Sequence, residues 1–404
     1  MIDNTIESFF ALVRAGLFPV HDEGFMVLGQ AKRQSRANES LFQDVEWEKV
    51  YQLAQEQSVL GLVLAGIEQY KNLNVLETSG TSERARVNLD VNIPKVLLLQ
   101  WIGEVQVIEK QNKDMDAFIA ELIEKLRKKD IYAILVKGQG IAQCYEKPLW
   151  RSSGDVDLLL SDSNYQKAKG LLLPLGKMTE PEEIAKKHFA MSIDGWAIEL
   201  HGTLYSGLFS KVERELDCLQ EDTFYGGQVR SWTNGQTLIF LLKAENEVFY
   251  VFTHFLQHFY KEGVGLRQIC DWCRLLYTYR DSLNYELLES RIKRAGLMSE
   301  WKAFYNLASR YLGMPDLDSR FMFQDSRFDK KAARIMEFIL KSGNMGHNRD
   351  MSHFSKYPYV IRKCVSMGRR ISDLINHARI FPLDSLRFFP RIMFNGVRSA
   401  IRGE

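Results

Sequence analysis

Residues 152–160 read SSGDVDLLL, and this short stretch decides the fold. Asp155 and Asp157 follow a glycine and precede three leucines. Alternate residues of a strand point to the same face, so the two aspartates project together while Val156 turns into the core. Two carboxylates that close repel each other unless a proton or a cation compensates them. A strand suited to burial therefore carries a charge pair that needs a partner.

A divalent cation is the partner that the pattern predicts. Carboxylate oxygens suit Mg²⁺ or Mn²⁺, which complete their shells with water and substrate phosphates. A third carboxylate, Glu199, lies in Trp196–His201, predicted as the second arm of a hairpin after His188–Ser192 and the turn Asp194-Gly195. Two ions about 3.5–4 Å apart could then bind a triphosphate and activate an attacking hydroxyl.

A phosphate-binding segment is predicted upstream of the aspartates. The apolar strand Ile131–Val136 ends at a lysine and a glycine, and a helix is predicted to follow from Gly140 to about Tyr145. Backbone amides at such a position favour an anion, and glycine lets a phosphate approach the backbone. The residues assigned to nucleotide binding are Lys137, Gly138, Arg151, Ser153 and Gly154.

The combined pattern resembles a known superfamily. The segment LVKGQGIAQCYEKPLWRSSGDVDLLL, followed some forty residues later by IELH, resembles nucleotidyltransferases with the DNA polymerase β-like palm. More narrowly, it is similar to an uncharacterised bacterial nucleotidyltransferase family whose pattern is Lys-Gly, a helix, Arg-x-x-Gly-Asp-x-Asp and then Glu-x-His. Other segments share the resemblance: Trp47–Leu64, the helices with His254, His258, Arg267 and Asp271, and Gly343–Asp350.

The resemblance implies specific roles. Asp155, Asp157 and Glu199 would be the catalytic metal ligands, and Gly138 would belong to the phosphate loop. One departure concerns that loop, because Gln139 follows Gly138 where the wider superfamily usually has serine or glycine. The spacing from Gly138 to Asp155 is also somewhat long.

The predicted fold class is α+β, a small mixed-sheet nucleotidyltransferase palm between N-terminal and C-terminal helical regions. Residues 1–129 are expected to be helical, 130–233 to form the palm as β-α-β-α-β-β, and 234–341 to be helical again. Residues 342–404 are expected to be a glycine-rich loop and a basic amphipathic tail. The helices predicted after the palm are Gln236–His258, Gly265–Arg280 and Tyr285–Leu312.

Composition limits the alternatives. The 404 residues are 46% hydrophobic and 26% charged, with a net charge of +2, which is ordinary for a globular protein. Five cysteines without framework spacing, the absence of a signal-peptide pattern and the lack of a membrane span favour a cytoplasmic protein. The tail from residue 361 has nine Lys/Arg against three acids, so it could contact an anionic nucleic acid or membrane. A solvated helix face is the simpler interpretation.

Several other residues have two interpretations. His201 shares a face with Glu199 and could orient an acceptor, take a proton or bond a neighbour, whereas a structural role is favoured for His188. The pair His254 and His258 is expected in the core or an interface. The remaining expectations are an intrahelical ion pair between Arg267 and Asp271, and packing rather than zinc binding for Cys270 and Cys273.

The functional hypothesis is transfer of a nucleoside monophosphate from an NTP to a hydroxyl acceptor, with Mg²⁺ or Mn²⁺ as cofactor. The acceptor is left open among a protein side chain, a sugar, a small molecule and an RNA end, and the base preference is also open. Two alternatives are a nucleotide-sugar glycosyltransferase, which Asp-x-Asp also marks, and a palm that binds nucleotide, protein or RNA without turnover.

Overall fold

The computed structural model describes residues 4–18, 41–78, 91–261, 263–317, 325–344 and 359–383. Within these ranges, helices precede and follow a single mixed sheet. The helices are α1 (Asn4–Leu17), α2 (Trp47–Glu56), α3 (Leu60–Thr78), α4 (Lys95–Arg127), α5 (Gly138–Ala142), α6 (Asp162–Leu172), α7 (Ser210–Phe224), α8 (Ala244–Lys261), α9 (Leu266–Thr278), α10 (Tyr285–Ala295), α11 (Met298–Leu312), α12 (Ser326–Ser342) and α13 (Tyr359–Ile380). In the described part of the chain, no helix has both the length and the apolar character needed to cross a membrane.

The sheet has seven strands in the order β3-β4-β5-β2-β1-β7-β6. The strands are β1 (Ala133–Val136), β2 (Asp155–Leu160), β3 (Lys177–Met178), β4 (His188–Ile193), β5 (Trp196–His201), β6 (Val229–Asn234) and β7 (Thr237–Leu242). Strands β2 and β5 run parallel, as do β1 and β7, and the other neighbours are antiparallel. The register places Asp157 directly beside Glu199.

The two faces of the sheet have different surroundings. On one face, Val156, Leu158 and Leu160 pack with the C-terminal half of α4 and with α6 in one apolar core. On the other face, Leu159 joins a second core made mainly by the flanking helices. Because side chains alternate along a strand, the aspartates of β2 lie on this second face, toward the helices.

The flanking helices approach one another closely where glycine allows it. In α1, a Cβ at Gly16 would lie 2.0 Å from the carbonyl oxygen of Leu62, and in α3 one at Gly66 would meet that of Leu12 at the same distance. No larger residue fits at either position without moving the backbone. These two glycines therefore fix how the N-terminal helices cross beside the sheet.

The predicted fold class is confirmed: a small mixed sheet lies between helical regions, and the hairpin turn at Asp194-Gly195 forms with both residues at positive φ. The expected packing of Cys270 and Cys273 is confirmed, since both are buried in α9. The helix predicted over Gln236–His258 is wrong at its start, because Thr237–Leu242 is a strand beside β1.

The division of the chain into regions stays a prediction, although its boundary after residue 233 falls inside the β6–β7 hairpin. Tyr285–Leu312 forms two helices that are separated at Gly296, where φ is +73°. Residues 345–350 of the glycine-rich loop and the tail beyond residue 383 lie outside the described residues.

Candidate active site

Three carboxylates from two neighbouring strands meet at the centre of the site. Asp155 and Asp157 come from β2 and Glu199 from β5, and one oxygen of each lies within 4.8 Å of the others. Asp157 is only 2% exposed, whereas the other two are half-buried. The structure thus brings together the three acids that the sequence pattern singles out, while their catalytic roles stay a prediction.

Lys137 supplies the nearest positive charge. Its Nζ lies 2.8 Å from Oδ1 of Asp157, at the end of β1. Burial alone would lower the pKa of Lys137, but the attraction of Asp157 and the other carboxylates outweighs it and raises that pKa. Both Lys137 and Gly138 have positive φ, at +60° and +43°. A backbone that only glycine adopts easily therefore aims this lysine at the acids.

The charge of the acids is not fully balanced by this lysine. Repulsion from Asp157, followed by burial, raises the pKa of the Asp155 carboxyl above its ordinary value. A group of three carboxylates with a single ammonium among them suits a further cation with oxygen ligands. The donors present therefore fit Mg²⁺ or Mn²⁺, with Asp155, Asp157 and Glu199 as the residues that would hold it.

Two histidines border the acids on the β5 side. Nε2 of His201 lies 2.7 Å from Oδ1 of Asp157, and Nε2 of His188 lies 3.2 Å from Oε2 of Glu199. Hydrogen bonds from His188 and then His201 lower the pKa of Glu199. Burial alone would lower the pKa of His201, but its bonds to the two carboxylates raise it overall. Both imidazoles therefore lie beside the acids, and a role for His201 with an acceptor or a proton stays a prediction.

Helix α8 contributes His254, which the sequence analysis expected in the core or an interface. Nε2 of His254 lies 3.5 Å from Nζ of Lys137, and its ring stacks on Tyr250. Burial, followed by the charge of Lys137, lowers the pKa of His254 well below its ordinary value, so this imidazole is neutral beside the ammonium. The four-residue spacing singles out His254 and His258 in the sequence. Only the packing of α8 against the sheet reveals that His254 contacts the site.

Arg151 has a different partner from the expected phosphate. Arg151 is 8% exposed, and its guanidinium forms two bonds of 2.7 Å to the carboxylate of Asp271 in α9 and also donates to Oγ of Ser153. Ser153 in turn donates to Oε1 of Gln139 at 3.1 Å. The donors of Arg151 are therefore committed to the protein, and its contribution is to hold the segment before β2 in place.

The ion pair expected between Arg267 and Asp271 within α9 is wrong, because each of these residues has its partner in the segment before β2. Asp271 pairs with Arg151 and accepts a 2.8 Å bond from Tyr145, while Arg267 donates to the carbonyl oxygen of Ser152 at 2.5 Å. Both residues of the predicted pair thus fasten the 151–155 segment to α9. Gly154 in this segment is exposed, and a Cβ there would meet nothing within 4 Å.

A mixed sheet that presents three carboxylates from adjacent parallel strands defines the class as a nucleotidyltransferase-type palm with flanking helices. A family model described as "Uncharacterised nucleotidyltransferase" matches residues 43–313, which is about two thirds of the chain. The chain belongs to this family of nucleotidyltransferases. Comparisons with curated proteins and with solved structures find no match.

Proposed function

We propose that this protein transfers a nucleoside monophosphate from an NTP to a hydroxyl group, with a divalent cation as cofactor. The observation that carries the proposal is the placement of Asp155, Asp157 and Glu199 with oxygens within 4.8 Å of one another. When bound there, Mg²⁺ or Mn²⁺ would neutralise the phosphates and lower the pKa of the attacking hydroxyl.

The protein's own residues would position the reactants. Lys137 lies at the acids as a fixed positive charge, and Gly138 beside it leaves the backbone open to a phosphate. Arg151 and Ser153 would act indirectly by fixing the segment that leads into β2. Such catalysis rests on orientation and on charge that is in place before the reaction.

The proposed step balances as an in-line displacement. The acceptor oxygen forms a bond to the α-phosphorus, the bond from that phosphorus to the bridging oxygen breaks, and pyrophosphate leaves. The hydroxyl proton passes to a carboxylate oxygen among the three acids, whose oxygens lie within 4.8 Å of one another. The acceptor class, the base preference, the Mg²⁺ or Mn²⁺ requirement and the cytoplasmic location stay predictions.

The test is transfer of radioactive label. Wild type is incubated with each α-³²P-labelled NTP, Mg²⁺ or Mn²⁺, and a cell lysate as the source of acceptors. We expect label on an acceptor with wild type and none with Asp155→Asn/Asp157→Asn. Asp194→Asn is the matched control, because it removes an exposed carboxylate in the β4–β5 turn, outside the group of three acids, where asparagine also suits a Gly-containing turn.

Three results would count against the proposal. Equal labelling by the double variant would separate transfer from the acids. Sugar transfer from a nucleotide sugar would support the glycosyltransferase alternative. Metal-dependent NTP binding in calorimetry without any transfer would favour the palm that binds without turnover.

A further inference from the structure

Two imidazoles and one carboxylate surround a common point on the β4–β5 hairpin. His188 and His201 are direct partners in the antiparallel register, and their ring centroids are 5.0 Å apart. Their Nε2 atoms lie 3.2 Å and 3.5 Å from the same atom, Oε2 of Glu199. One donor atom from each residue lies within 4.8 Å of the other two. This group shares Glu199 with the three acids but offers nitrogen as well as oxygen.

The spacing of these donors suits a single ion. Transition cations bind imidazole nitrogen and carboxylate oxygen at about 2.0–2.2 Å. Two donors on one such ion are then about 3.0 Å apart at a right angle and about 3.4 Å apart at a tetrahedral angle. The two distances from Glu199 Oε2 fall close to these values. Small side-chain shifts would therefore bring these three donors onto one ion, and water would occupy the remaining positions.

The imidazole nitrogens of this group favour a different metal ion from the one that suits Asp155 and Asp157. Mg²⁺ prefers oxygen ligands and keeps several waters, whereas imidazole suits first-row transition ions. We propose that His188, His201 and Glu199 bind a divalent first-row transition metal ion, at the side of the site away from Asp155. The inference rests on the proposed function for the shared ligand Glu199, and it adds a metal preference that the three acids alone do not give.

The competing interpretation is that the imidazoles only hydrogen-bond the carboxylates. His201 Nε2 lies 2.7 Å from Asp157 Oδ1, which is a good hydrogen-bond distance. A nitrogen that carries a hydrogen for this bond has no lone pair for a metal. A direct measurement of metal–nitrogen bonding therefore separates the two interpretations.

The experiment uses the full chain after removal of metals with EDTA. Mn²⁺ is added, and pulsed EPR records whether ¹⁴N nuclei couple to the bound ion. We expect ¹⁴N coupling in wild type, a loss of one nitrogen in each of His188→Gln and His201→Gln, and full coupling in His258→Gln. The last variant is the matched control, since His258 lies on α8 and outside this group. Calorimetry should show that Zn²⁺ or Mn²⁺ binds each site variant about tenfold or more weakly, with Mg²⁺ binding unchanged.

Wild-type Mn²⁺ without ¹⁴N coupling would overturn the inference, and so would equal Zn²⁺ binding by wild type and His188→Gln. Thermal unfolding in EDTA checks that each variant is folded, and His188→Gln keeps the test valid if His201→Gln is unstable. Label transfer without ¹⁴N coupling would remove this inference and leave the proposed function. Coupling to ¹⁴N without label transfer would support this inference and count against the proposed function.

Discussion

The ammonium of Lys137 lies 2.8 Å from the nearly inaccessible carboxylate of Asp157. This contact joins the end of β1 to the middle of the three acids, so it links the stability of the sheet to the charge of the site. Removal of one partner from a buried ion pair leaves the other charge uncompensated, which typically costs about 3–5 kcal/mol. Lys137 therefore serves the fold in addition to any role with a phosphate.

Replacement of Lys137 should weaken the fold most when metal is absent. We expect Lys137→Gln to lower the free energy of unfolding by about 3 kcal/mol in EDTA, with a smaller loss when Mg²⁺ or Mn²⁺ is added to compensate the acids. Urea denaturation with and without metal measures both values. Lys187→Gln is the control, because Lys187 makes an exposed pair with Asp162 that should contribute about 1 kcal/mol or less. Equal losses in the two variants would contradict the prediction.

The Arg151–Asp271 pair should control the geometry of the segment before β2. We expect Asp271→Asn to lower the free energy of unfolding by about 3 kcal/mol, because it leaves a buried guanidinium with a neutral partner. Release of the 151–155 segment should also weaken metal binding at Asp155, which calorimetry can measure.

The control for that variant is Asp281→Asn, since Asp281 is 90% exposed in its contact with Arg280. This control should leave both the free energy of unfolding and the metal affinity unchanged. Unchanged metal affinity in a folded Asp271→Asn protein would show that the pair supports the helix packing alone.

The sequence predicted the placement of the three acids better than the secondary structure around them. Alternation along β2 and the Asp-Gly turn determine which faces Asp155, Asp157 and Glu199 occupy, and both signals are local. Strand β7 was missed because its run TLIFLL is apolar at nearly every position, and such a run does not distinguish a buried strand from a helix. The strand is defined by its place between β1 and β6, which no local pattern encodes.

The partner of Asp271 was missed for a related reason. Its four-residue spacing from Arg267 fits an intrahelical pair, and no local pattern indicates a distant partner. Arg151 lies 120 positions away in the chain and binds Asp271 through two nitrogens. The packing of α9 against the palm determines that Arg151, and not Arg267, is the partner of Asp271. The sequence therefore indicates both arginines as candidates but does not show which of them binds Asp271.

The carboxyl of Asp116 should make the free energy of unfolding depend on pH. Burial raises the pKa of this half-buried carboxyl on α4 to about 6, and its Oδ1 is buried without a hydrogen-bond partner. The unfolded value is about 3.9, so the native state binds more protons between these two values and loses stability as pH rises through them. Asp116→Asn lacks this dependence.

We expect Asp116→Asn to be more stable than wild type by about 1 kcal/mol at pH 8, a value reduced for partial exposure of the carboxyl, and to lose this advantage near pH 4. Urea denaturation at several pH values measures the difference. The control is Asp114→Asn, which removes an exposed carboxylate from the same helix. A constant difference between wild type and Asp116→Asn would show that Asp116 is charged throughout this range.

The substitution Gly154→Ala tests whether a phosphate approaches the backbone before β2. The φ of Gly154 is not in the left-handed region and a Cβ would meet nothing within 4 Å, so alanine should change the free energy of unfolding by about 0.5 kcal/mol or less. If a triphosphate lies against this turn, the added methyl group should nevertheless weaken binding of an α,β-methylene NTP in calorimetry. Gly103→Ala, at an exposed and equally open position in α4, should leave that affinity unchanged. Unchanged affinity in Gly154→Ala would assign this glycine to the turn alone and move the phosphate contact to Lys137 and Gly138.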